Sequence, residues 1–304
     1  MVRNLSQCFI IVFLVSCVTP RAVAEVYGSG WYGEFQASFG YEDNIARTYK
    51  SDTVSDQIAS VSIGGGHARK LGKSAQLILS GYLTFTQHDE YVDIDNYSIS
   101  LGLDYTFQPN ASYSASWYNI RLSASDLNYR DSDPREGIFW LADVSANKRL
   151  APGLLWHAGY RYKDLMFSGK SSAEEEADAA FDTSSHEIYV GVDYQFRSAA
   201  FIFAEYAFRD GDIVSTISGG RAQNNQGKYD AITMDPVFDA PCSGLCPPGY
   251  AYRNEGETNL WTLGVSFPVE VVNVDFTANY FDASSDNGRD YEDWLIRLGM
   301  IWTF

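Results

Sequence analysis

Only four histidines, His67, His88, His157 and His186, are available for proton transfer near neutral pH in this 304-residue chain. Hydrolysis of a lipid ester would need one of them as a base beside a serine nucleophile and an orienting acid. His88 precedes Asp89, and His186 follows Ser184 and Ser185. Neighbours along a strand point to opposite faces, however, so adjacency in sequence builds no relay, and no catalytic residue is assigned. Charge offers more. Glu34, Asp104, Asp143, His157, Arg161, Asp193, Glu205, Asp275 and Arg297 all fall on the polar parity of segments whose alternate residues are largely apolar. Facing a water-filled lumen, they would polarise passing solutes, with Arg161 and Arg297 on a positive wall and Asp193, Glu205 and Asp275 on a negative one. Facing one another, the same groups would form a satisfied network that stabilises a narrow barrel. The sequence leaves both readings open.

Cys242 and Cys246 lie in a Pro- and Gly-containing stretch and read as a small disulfide staple in an oxidising compartment. Two thiols with no histidine nearby are weak metal ligands, so no metal is expected. Acidic runs, such as Glu174 to Glu176 and Asp290 to Asp293, offer hard oxygens to divalent cations that would bridge to lipopolysaccharide. None has calcium-loop spacing, and a solvated charged surface is the plainer reading. A formal net charge of -17 with no basic cluster excludes a nucleic-acid groove. No feature calls for haem, flavin or nucleotide. Gly64 to Gly66 lacks phosphate-loop spacing and marks a place where a strand bends or another group approaches closely.

The elements that would position these charges are strands. From Tyr97 to Phe107 the odd residues are Tyr, Ile, Leu, Leu, Tyr and Phe, while the even ones are small or polar. Similar series run through Leu77–Phe85, Ile138–Ala146, Leu154–Tyr162, Ile188–Phe196, Ile202–Phe208, Trp261–Phe267, Val272–Tyr280 and Trp294–Phe304. Three segments are less regular. Trp31 to Tyr41 alternates except at Gly33, residues 57–69 change phase after Ile58, and residues 112–123 need a β-bulge near Trp117. Beyond the first 24 residues no segment is apolar enough for a transmembrane helix, which takes about 20 residues.

Short connections, such as 71–74 and 149–153, alternate with long ones near 42–55, 88–95, 124–135, 166–184, 211–258 and 282–290. Their number gives twelve strands in one all-β, single-domain, up-and-down antiparallel transmembrane barrel over residues 25–304. Long connections belong outside the cell, the 211–258 loop foremost. Residues 1–24 read as a signal peptide cut after Ala24, the alternative being lipidation at Cys17. Aromatic residues gather toward strand ends as interfacial girdles.

Trp294, Ile296, Leu298, Met300, Trp302 and Phe304 resemble the C-terminal strand signal of Gram-negative outer-membrane β-barrel proteins. The resemblance implies an outer-membrane location, insertion by the barrel assembly machinery, and contact with outer-membrane lipids and lipopolysaccharide. It names no solute and no oligomeric state. Gly40 to Ile45 is also similar to segments opening several barrels, including the barrel part of surface-lipoprotein assembly modulators. Those carry a helical repeat domain ahead of the barrel, whereas here the first strand follows the cleavage site almost directly, so that function is not expected. The expected role is a porin-like channel for small polar solutes or ions. The alternatives are a non-conducting surface barrel acting through its acidic loops and, more remotely, a lipid-modifying enzyme.

Overall fold

The computed structural model describes residues 29–48, 53–110, 112–167, 178–217, 230–238, 249–286 and 290–304. The expected signal segment 1–24, with Cys17, and the Cys242/Cys246 pair lie outside these residues. Strands β1 (Gly30–Glu42), β2 (Asp56–Leu71), β3 (Ala75–His88), β4 (Asn96–Phe107), β5 (Trp117–Tyr129), β6 (Gly137–Ala151), β7 (Leu154–Phe167), β8 (Thr183–Gln195) and β9 (Phe201–Ile217) pair antiparallel in order. After the short β10 (Ala231–Met234) come β11 (Tyr250–Val269), β12 (Val272–Ser285) and β13 (Tyr291–Thr303). β11 pairs with β9, and β13 pairs with β1 from Glu34 opposite Thr303 to Glu42 opposite Leu295, so a twelve-strand ring closes. Closure leaves the ring no unpaired edge, which the interior of a bilayer requires.

The two faces separate as the alternation predicts. Leu79, Ile99, Leu101, Leu122, Val144, Ile188, Val192, Leu263 and Leu298 are exposed on the outside, a surface stable only against hydrocarbon. Aromatic pairs flank that belt, two of them across strands and one at the end of the last strand. Tyr206 packs on Trp261 at 4.5 Å and Tyr280 on Trp294 at 4.8 Å toward one rim, and Trp302 packs on Phe304 at 5.0 Å at the other. Phe304 exchanges backbone hydrogen bonds of 2.7 and 2.9 Å with Gly33. Its ring covers that glycine, where a Cβ would stand 2.3 Å from it. This accounts for the missing apolar residue at Gly33: the final residue of the chain supplies the ring.

Several expectations change. β9 and β11 continue as a paired hairpin to Ile217 and Tyr250, so most of 211–217 and 250–258 is strand rather than part of a 211–258 loop. The apolar code stops there because the hairpin has left the bilayer. Its outward positions carry Asp210 opposite Glu257 and Asp212 opposite Glu255. β10 pairs with the opposite edge of β11, beyond the point where β12 ends at Ser285. No bulge occurs near Trp117: β4 and β5 pair without interruption from Phe107/Tyr118 to Asn96/Tyr129, and Tyr113 and Ala115 sit in the preceding turn. Nor does β2 change phase. Ile58 points inward with Asp56 and Ser60, and all three are buried.

Gly64, Gly65 and Gly66 do mark a close approach. A Cβ on each would lie 2.3 Å from a backbone oxygen, that of Gly81, Tyr32 and Leu79 respectively. On the inner face the Tyr82 ring, from β3, lies against Gly64 and the Tyr32 ring, from β1, against Gly66.

Candidate functional site

All nine charged positions expected on the inner face lie on it, in two groups and two outliers. The larger group spans β6 to β9. Arg161 Nε donates to Asp143 Oδ2 at 3.1 Å, Nη1 donates to Glu187, and Nη2 lies 3.8 Å from Glu205. Lys163 Nζ donates to the other Glu187 oxygen at 2.8 Å. Tyr189 Oη donates to Asp143 at 2.9 Å, and its ring lies 4.5 Å from the guanidinium carbon of Arg161. His157 joins the group through Nε2, 3.0 Å from Glu205, and Nδ1, 3.5 Å from Asp193. Strand geometry produces the cluster: Asp143, Arg161, Glu187 and Arg209 occupy one continuous cross-strand row, so alternating signs meet their neighbours directly.

The smaller group spans β1 to β5. Arg121 Nε donates to Asp104 Oδ1 at 2.6 Å, Glu34 accepts from Gln36, and Ser100 and Ser125 share a hydrogen bond of 2.8 Å. Of the outliers, Asp275 is buried on β12 opposite Ser266, and Arg297 stands on β13 opposite Thr277 and Gly40. The expected separation into positive and negative walls is therefore not what forms. Arg161 is enclosed by acids, because charges on adjacent strands pair before they can define opposite sides.

Glu187, Arg121 and Tyr189 are functional candidates that were missed. The parity that marks Asp193 also marks Glu187 and Tyr189, and Arg121 lies between outward Ile120 and Leu122. Solvent exposure grades the cluster. The side chains of Glu187 and His157 are 1% and 2% exposed, whereas those of Lys163, Asp104 and Asp193 keep 26%, 24% and 18%. The inner wall thus has a dry ionic foundation and a wet fringe. Burying charges costs several kcal/mol per ion unless each is paired, and here each buried charge of the larger group has an ion partner within 4 Å.

Gly191 positions His157. A Cβ there would stand 2.2 Å from His157 Nε2 and 2.8 Å from the Ala204 carbonyl oxygen, so the ring reaches Glu205 only across a bare backbone. Gly191→Val is expected to push the imidazole off Glu205 and expose it. Diethylpyrocarbonate modification, mapped by mass spectrometry, should then rise several-fold at His157 and stay unchanged at the outward His67. Equal protection of His157 in both proteins would contradict this placement.

Among the described residues the hydrolase constellation does not assemble. His186 Nδ1 meets Tyr160 Oη at 2.5 Å, while Ser184 Oγ donates to Asp212 at 3.3 Å. The His88 ring lies 3.7 Å from Asp95 Oδ1, which accepts from the His88 backbone N–H at 2.7 Å. Among the described residues, no three His, Cys, Asp or Glu side chains are grouped to hold a metal ion.

No protein-family model and no curated protein matches the chain. Solved structures do. An outer membrane channel of Pseudomonas putida F1 superposes with a TM-score of 0.54 over 92% of this chain and 97% of its own, at 9% identity. The chain shares the fold of an outer-membrane β-barrel. The CymD monoaromatic hydrocarbon channel, with a TM-score of 0.47 at 9% identity, covers 94% of this chain and 91% of its own. The KdgM porin in complex with disordered oligogalacturonate, at 0.45 and 9%, covers 89% of this chain and 99% of its own. At such identities the likeness speaks to the fold alone, a closed lipid-facing barrel.

Proposed function

We propose that this chain is a narrow outer-membrane channel for small polar solutes, with a preference for cations. The observation that carries the reading is the wet fringe of the inner wall. Lys163, Asp104, Arg121, Asp193 and Glu205 point inward and remain partly exposed, so water meets charge inside a ring whose outside is apolar. The sign follows from the inner face. Glu34, Asp104, Asp143, Glu187, Asp193, Glu205 and Asp275 outnumber Arg121, Arg161, Lys163, Arg209 and Arg297, and a passage lined by excess carboxylate raises the local concentration of cations. Twelve strands enclose more room than a side-chain-filled eight-stranded barrel but less than a 16-stranded porin. A non-enzymatic channel role is in keeping with the outer membrane channel of Pseudomonas putida F1 that shares the fold.

Purified protein in planar bilayers should give small, discrete current steps whose reversal potential in a salt gradient has the cation-selective sign. Lys163→Gln should increase that selectivity, because it removes a partly exposed positive charge, and Glu205→Gln should reduce it. A barrel that stays silent both as it stands and with its outer loops released would remove the reading. Current with unchanged selectivity in both variants would separate these residues from the passage.

A further inference from the structure

The outer ends of the strands hold contacts in which the mid-barrel clusters take no part. Asp235, in the connection between β9 and β11, accepts from Arg135 Nη1 at 3.0 Å and from Nη2 at 2.6 Å, and Arg135 belongs to the connection between β5 and β6. Asp235 also accepts from Thr216 Oγ1 at 2.9 Å. The guanidinium lies 4.5 Å from the ring centre of Phe181, ahead of β8, and 5.5 Å from that of Phe238. Tyr91, between β3 and β4, packs on Phe238 at 4.9 Å. The Ala46 carbonyl, between β1 and β2, accepts from the Thr216 N–H at 2.9 Å. Five of the six outer connections therefore converge on one ion pair.

Such convergence has only one route. Strands about 4.8 Å apart and tilted about 40° give twelve of them a backbone ring roughly 24 Å across. β4 and β9 are five steps apart around that ring, so contact between Tyr91 and Phe238 crosses the opening rather than following the rim. The crossing segments are also packed. Asp235, Ala46, Ala180, Phe181 and Val237 are buried, and Ala180 and Phe181 share a small core with Ala231, Ala251 and Val214.

We propose that these loops form a closed cap over the outer mouth, latched by the Arg135–Asp235 pair, so that entry from outside requires that pair to part. The effect on solute flow rests on the channel reading; closure of the mouth does not. The pair suits a latch because both charges rehydrate when the loops swing out, while the flanking rings exclude water when they close. A two-pronged ion pair between separate loops forms in one arrangement and in no intermediate one.

The test uses the full chain with Cys242 and Cys246 replaced by serine and a reporter, Ser100→Cys, on the inner face of β4. On intact cells, a membrane-impermeant maleimide should label the reporter about tenfold faster or more when Arg135→Gln or Asp235→Asn releases the latch. Either variant suffices, provided heat-modifiable gel migration shows a folded barrel. In planar bilayers the same variant should lengthen the openings. Faster labelling with no current from any variant keeps the cap and removes the channel. Labelling equally fast with and without the latch overturns the cap, whatever the current does.

Discussion

Arg161→Met is expected to cost the folded barrel about 3–5 kcal/mol, because it leaves buried carboxylates without their counter-charge. Arg161 presents three nitrogens to three acids, with Asp143 and Glu187 at hydrogen-bond distance and Glu205 at 3.8 Å. Lys163 holds Glu187 only. Reversible unfolding from lipid vesicles by denaturant would read the loss as a lower midpoint at an unchanged slope. Arg161→Lys should recover only part of it, since an ammonium is a single point charge and cannot reproduce the planar fork. Arg121→Met is the control. Its ion pair with Asp104 keeps about a fifth of each side chain in water, and such pairs contribute about 1 kcal/mol or less. Adding Asp143→Asn and Glu187→Gln to Arg161→Met should restore much of the stability, because the uncompensated charge is then removed. Equal losses for Arg161→Met and Arg121→Met would show that burial does not set the worth of these pairs.

Gly65→Val should be the most damaging single change to the wall itself. A Cβ at Gly65 would sit 2.3 Å from the Tyr32 carbonyl oxygen and 3.1 Å from the Gly33 Cα. Both are backbone atoms of β1, so relief requires the strands to part rather than a side chain to turn. Gly33, Gly65 and Gly81 stand opposite one another across β1, β2 and β3, so separation there would strain the ladder next to the β13–β1 seam that closes the barrel. Overpacking of this kind costs about 1–3 kcal/mol where side chains can yield, and more where they cannot. The folded, heat-modifiable fraction in outer membranes should fall severalfold for Gly65→Val. It should fall much less for Gly33→Ala, where the nearest atoms belong to the exposed Phe304 ring. Normal accumulation of Gly65→Val would mean that the strands are less tightly apposed than these distances indicate.

What was legible in the sequence is what the bilayer selects residue by residue. Hydrocarbon accepts or rejects each outward side chain by itself, so the series Leu77–Phe85, Tyr97–Phe107 and Trp294–Phe304 declare strands, faces and count with no knowledge of neighbours. The same parity placed His157, Arg161 and Glu205 inside. Which of them meet was not legible. His157 and Glu205 are 48 residues apart, and their contact depends on the register of three strands and on a glycine at 191. Where the strands leave the membrane the code lapses altogether. Asp210, Asp212, Glu255 and Glu257 stand where apolar residues would otherwise alternate, and residues 211–217 therefore read as loop although they are paired. The meeting of Arg135 with Asp235, 100 residues away, has no local signature either, because it exists only once the ring has closed and brought separate loops over one opening.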